Sequence, residues 1–146
     1  MTASQSALET VSAILSHPLP DSAPARIALF AIRRMGANGL ADAGAAHALF
    51  SNFRQDFRRP LVLMRAFMAD LAANASGSIA IAPCCCPRMT GAEAALIAVL
   101  ARVEAQPRSA MHLLADLLGI RAVDGVLASA AAVAAAFADL GLPITN

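Results

Sequence analysis

An all-α domain, a single compact bundle of six or seven helices, is the fold that this 146-residue sequence predicts. Three observations point there. Apolar residues recur at three- and four-residue spacing along nearly the whole chain, as they do where helix faces turn toward a core. Prolines, glycines and capping residues punctuate those stretches at intervals suited to short helices. Alanine, the best helix former, occurs 37 times within a hydrophobic fraction of 58%. The larger apolar residues still suffice for one core, because a domain of about this length buries roughly 68–70% of its unfolded surface. No period of about 20–50 residues recurs, which argues against a solenoid. One domain over residues 1–146 is expected, with residues 1–20 only loosely attached.

The elements follow in order. Ser6 and Glu9 have capping-box spacing ahead of Val11, Ile14 and Leu15, and His17-Pro18-Leu19-Pro20 stops that first helix. Asp21 or Ser22 caps a second helix, with Pro24 in its first turn and 36–39, rich in glycine and asparagine, at its end. Only Arg26, Arg33 and Arg34 interrupt its apolar residues, so it reads as central. A third helix covers about 41–53. A fourth runs from about Pro60 to Ala75, nearly all apolar, and is expected to pack directly on the second. Residues 79–82 alternate with period two, but an isolated four-residue strand has nothing to pair with. They read as a buried, extended connector leading into the cysteines. Thr90 and Glu93 form another capping box opening a helix through Val103. Pro107 starts the next, which Gly119 closes. The last, 122–140, is alanine-rich, with Ser129 as a candidate break.

Composition excludes several classes of function. The 11 basic residues, all arginine, nearly balance 10 acidic ones at a net charge of +1. No broad field therefore draws nucleic acid or an anionic membrane. The N-terminus has neither the basic nor the apolar region of a secretory signal. The apolar stretch 126–140 is too short for a membrane span, which needs about 20 residues. A soluble, cytoplasmic protein is expected, in which three cysteines stay reduced.

The strongest chemical signal is Pro83-Cys84-Cys85-Cys86-Pro87-Arg88-Met89-Thr90. Three contiguous thiols lie just ahead of a predicted helix N-terminus, whose dipole favours an anion, and Arg88 adds positive charge. In an extended loop Cys84 and Cys86 face one side and Cys85 the other. A redox thiol is one reading: sulfenylated, then resolved by its neighbour. Zinc or Cu(I) held by Cys84 and Cys86 is another, with His47, His112 or a second subunit completing the set. A metal-free site fits the same residues, as does a buried, inert corner. A haem-responsive Cys86-Pro87 pair rests on two residues only. The spacing fits neither a thioredoxin-like CxxC, nor a phosphatase loop, nor a zinc ribbon.

Elsewhere the signals are weaker. Phe53, Phe57 and the arginines at 54, 58 and 59 interleave as in an anion or single-strand surface, yet Asp56 sits among them, and an inter-helix corner explains them more simply. Arg108, His112 and Asp116 share a helix stripe; a solvated face accounts for it better than proton transfer does. His47 reads as a hydrogen-bonded core or interface residue. No phosphate loop, nucleophile elbow or di-iron carboxylate pattern occurs.

At residues 57–61 and 83–90 the sequence resembles a family of small uncharacterised bacterial all-helical proteins, most specifically through Pro-Cys-Cys-Cys-Pro-Arg-Met. Residues 17–20 and 32–35 are similar to its early segments, and the resemblance runs from about Pro18 to Leu142. It implies a stand-alone domain and carries over no catalytic role.

The expectation is a cytoplasmic helical protein with a thiol site at Cys84, Cys85 and Cys86. Arg88 would stabilise the thiolate and Thr90 cap the helix behind it. The alternative is a non-enzymatic interaction module with structural cysteines. Whether it is an enzyme stays open, with the balance against. A homodimer is expected, through the small residues of 128–136 first and the corner at 54–59 second.

Overall fold

The computed structural model describes residues 15–146. Six α-helices carry the fold: α1 (Ala23–Asn38), α2 (Ala43–Phe53), α3 (Arg58–Asn74), α4 (Gly91–Arg102), α5 (Pro107–Leu118) and α6 (Asp124–Asp139). A 3-10 turn, Arg54–Asp56, joins α2 to α3, and two-residue strands β1 (His17–Pro18) and β2 (Arg88–Met89) pair antiparallel. The all-α bundle expected from sequence is the fold observed. The helix expected after Ser6 and Glu9 lies outside the described residues.

Local chemistry sets the helix boundaries. Ser22 caps α1 by accepting from the Ala25 N–H, and Gly39, at φ 101°, ends it by donating to Met35 O. Asp42 caps α2 by accepting from the Ala45 N–H. Thr90 and Glu93 complete a reciprocal capping box on α4. Pro107 opens α5, and left-handed Gly119 closes it. α6 runs through Ser129 without a break, its hydroxyl bonding Asp70 of α3 and Gly125 O one turn back. α3 begins two residues before Pro60, which tolerates the third position of a helix because that N–H has no helical partner.

The helices α1 and α3 are both central, with Ala28, Ala31, Ile32, Met64 and Phe67 fully buried. The main partnerships differ from expectation, however. α3 packs chiefly on α6, α4 on α5, and α1 on α2, while the contact between α1 and α3 is smaller. Ala130 and Ala136 of α6 are fully buried, Ala134 nearly so, and such small side chains let neighbouring helices approach closely. Part of the small-residue surface assigned to a dimer is thus used within the protomer. α4 is a third core helix, buried all round at Leu96, Ile97, Ala98, Val99 and Leu100. Phe53 meets Phe137 edge-to-face with ring centroids 4.9 Å apart, which closes α2 onto α6.

Between α3 and β2 the chain has no regular structure over residues 75–87. Ser76 N–H donates to Leu118 O at 2.9 Å, tying the start of this connector to the end of α5. Residues 79–82 form no strand, as expected. The cysteine run departs from the extended form: Cys86 N–H donates to Pro83 O at 3.0 Å, closing a β-turn with Cys84 and Cys85 at its corners. Pro83 and Pro87 bracket this turn and cannot donate to a ladder that would extend it. The strict alternation of Cys84 and Cys86 against Cys85 therefore does not apply.

Candidate functional site

The cysteine turn is held from beneath by a buried ion pair. Arg33 on α1 and Glu93 on α4 are 2% and 0% exposed, and Arg33 Nε lies 2.7 Å from Glu93 Oε2. The remaining guanidinium hydrogens go to the turn: Nη1 donates to Cys86 O and Nη2 to Arg88 O, both at 2.8 Å. Glu93 is used as fully. Its Oε1 accepts from Thr90 N–H at 2.9 Å and from Arg33 Nη2 at 3.1 Å, while Oε2 also accepts from Ala82 N–H at 3.3 Å. Thr90 Oγ1 accepts from Glu93 N–H and donates to Ala80 O at 2.7 Å. Residues 82, 86, 88 and 90 are thereby fixed to two core side chains, and Thr90 in turn holds residue 80. No buried side-chain polar atom among the described residues lacks a partner.

Against this fixed base the thiols face outward. Cys84 and Cys85 are exposed, Cys86 is half-buried, and none is in a disulfide. All three border one cavity of about 320 Å³, whose other wall is the α1 stripe Arg26, Leu29, Phe30 and Arg33. Those four residues follow i, i+3, i+4, i+7 spacing, so one helix face meets the turn. The fully buried corner considered from sequence is not what forms, since Cys84 and Cys85 are exposed.

The charges around the turn also differ from expectation. Arg88 does not turn to the sulfurs; its Nε and Nη2 donate to Leu15 O and Ser16 O at 2.7 and 2.5 Å. This anchors the chain beside β1 and draws the guanidinium to carbonyls across the short sheet. The α4 N-terminus is already occupied by the Glu93 carboxylate and the Thr90 hydroxyl. Arg34 is the cation beside Cys84 instead. It pairs with Asp42 through two contacts of 3.0 Å, and the Cys84 thiol lies beside the same guanidinium. Asp42 first, then Cys84, raises the Arg34 pKa above its ordinary value. Arg34 and the Ala45 N–H hold the Asp42 carboxyl below the usual carboxylate range. Gly44 makes room for this arrangement, since a Cβ there would stand 2.7 Å from Arg34 Nε.

The other candidates lie apart from the turn. His47 is exposed on α2, with Nε2 3.5 Å from Ser51 Oγ, and is not a core residue. His112 and Asp116 border an open hollow on α5. Among the described residues, no three His, Cys, Asp or Glu side chains are placed to hold a metal ion, so the set of Cys84, Cys86, His47 and His112 is not assembled. Phe53 is buried and Phe57 half-buried, leaving Arg54, Arg58 and Arg59 on a solvated corner. Sequence reasoning missed Arg33 as a structural centre; its signal was an arginine inside an otherwise apolar helix stripe.

Residues 6–137 match a family model described as a family of unknown function. No curated protein and no solved structure shows significant similarity. No helix among the described residues is long and apolar enough to cross a membrane.

Proposed function

The chain belongs to the DUF6628 family, a family of unknown function, and we infer that it is a thiol protein whose Pro83–Pro87 turn offers cysteines for reaction. One observation carries this reading. Three unpaired thiols border a single cavity, two of them exposed, on a turn that the buried Arg33–Glu93 pair holds in place. Cysteines used only for packing are buried; here the burial is spent on the clamp and the sulfurs are left outside. Redox sensing suits the arrangement best, because adjacent thiols let one sulfur trap the oxidised form of another. A two-coordinate soft ion on Cys84 and Cys86 is the second chemistry in the same reading. Both need the reducing cytoplasm in which we place the protein.

The test is thiol titration of native, freshly purified protein together with metal analysis. Rapid reaction of two or more thiols without denaturant supports the reading, and bound copper selects the metal form. Thiols that react only after unfolding, with no metal present, overturn it.

A specific observation keeps the interaction-module reading in view. The exposed large apolar residues Leu40, Phe50 and Val62 all fall between residues 40 and 62, around α2 and the start of α3. A homodimer through these residues, rather than through 128–136, is what that reading proposes. Light scattering that shows a monomer at micromolar concentration would remove it.

A further inference from the structure

The two segments that form the thiol cavity carry an excess of positive charge. α1 and residues 76–89 contain four arginines, Arg26, Arg33, Arg34 and Arg88, and no carboxylate. Two of these charges are neutralised, Arg33 by Glu93 and Arg34 by Asp42. The other two are anchored through backbone oxygens instead: Arg26 Nε donates to Pro20 O at 2.6 Å, and Arg88 to Leu15 O and Ser16 O. Neither Arg26 nor Arg88 is in an ion pair among the described residues. In a chain whose net charge is only +1, two unneutralised cations thus lie in the segments around three thiols. Arg26 borders the cavity itself, one helical turn from Phe30.

We propose that this cavity binds small anionic disulfides, with Arg26 taking a carboxylate of the partner and the apolar wall of Leu29 and Phe30 taking its body. The inference rests on the thiol reading above and adds the class of reactant. The volume of about 320 Å³ falls at the lower end of the roughly 300–1,000 Å³ usual for small-molecule pockets.

The reaction is thiol–disulfide exchange. Cys84, beside Arg34, gives up its proton to solvent and attacks one sulfur of the partner. A protein–partner S–S bond forms as the partner's own S–S bond breaks, and one partner thiolate leaves and takes up a proton. A neighbouring cysteine then attacks Cys84 Sγ and releases the second partner thiol. The net change oxidises two protein thiols to a disulfide and reduces one small disulfide to two thiols. No other oxidant is needed.

Charge selectivity is the readout. Native protein is mixed separately with glutathione disulfide (anionic), hydroxyethyl disulfide (neutral) and cystamine (cationic). Each rate is divided by that of the same probe with the urea-unfolded chain. The expected order is anionic, neutral, cationic, with roughly a tenfold spread between the ends, the low end of the gain from a cleft of one charge sign. The spread shrinks as salt approaches 1 M, where screening acts within about 3 Å. Arg26→Gln, a change at an exposed side chain, reduces it, and Arg26→Glu reverses it. Equal normalised rates, or cystamine fastest, overturn this inference and leave the thiol reading standing. No reaction of the native, metal-free protein with any probe overturns both.

Discussion

Arg33 and Glu93, 60 residues apart in sequence, meet in the core through two contacts of 2.7 and 3.1 Å, and between them they satisfy four backbone groups of the cysteine-bearing segment. A buried ion pair is weak evidence for stability as such, because desolvating two charges costs about what their attraction returns. Its contribution here is positional. An irregular segment has backbone groups with no ladder partners, and this pair supplies them while the sulfurs stay outside.

Removing one partner leaves the other charge buried and unpaired. Arg33→Met is expected to lower stability by roughly 3–5 kcal/mol, read from urea unfolding. Arg33→Lys should fall between wild type and Met, because an ammonium lacks the planar fork that serves Glu93, Cys86 O and Arg88 O together. A lysine variant as stable as wild type would show that the fork geometry is not what holds the turn.

The acid limb of stability should contain a share from Asp42. Its carboxyl is held below the ordinary range by Arg34 and the Ala45 N–H, so the folded pKa lies under the unfolded one. That contribution is complete above the unfolded value, declines as pH falls between the two, and is gone below the folded value. Asp42→Asn keeps a capping oxygen but no charge. The stability difference between wild type and variant should therefore narrow toward zero on acidification through and below the carboxylate range. A difference constant across that range would contradict the assignment.

Ala130 is fully buried on α6, the helix that packs chiefly on α3. Ala130→Leu should overpack the core around α6 and cost about 1–3 kcal/mol. If the variant is neutral in thermal unfolding, the close approach inferred from the small residues is wrong.

The fold was legible where its causes are local. Ser22, Thr90 with Glu93, and Pro107 with Gly119 mark helix ends through contacts within a few residues, and each does so in the structure. The turn at Cys84 and Cys85 was not legible, because the period-two pattern of residues 79–82 extends by analogy into a run whose bracketing prolines end it. The roles of the arginines were hidden for a different reason. Arg88 was the nearest cation in sequence, but sequence distance does not show that two carbonyls at Leu15 and Ser16 would take its guanidinium. Arg34 reaches Cys84 only because α1 passes beside the turn. Likewise Glu93 was readable as a capping residue but not as the partner of Arg33, a pairing that exists only once α1 and α4 are packed.

The central claim is that the core holds the turn and the turn presents its sulfurs. Site-resolved alkylation of the native protein, followed by peptide mass spectrometry, tests it most directly. Cys84 and Cys85, exposed at the turn corners, should label first and without denaturant, and the half-buried Cys86 more slowly. In Arg33→Lys, where Cys86 O loses its fixed donor, Cys86 should catch up with its neighbours. Three thiols that stay unlabelled until the chain is unfolded would contradict the account.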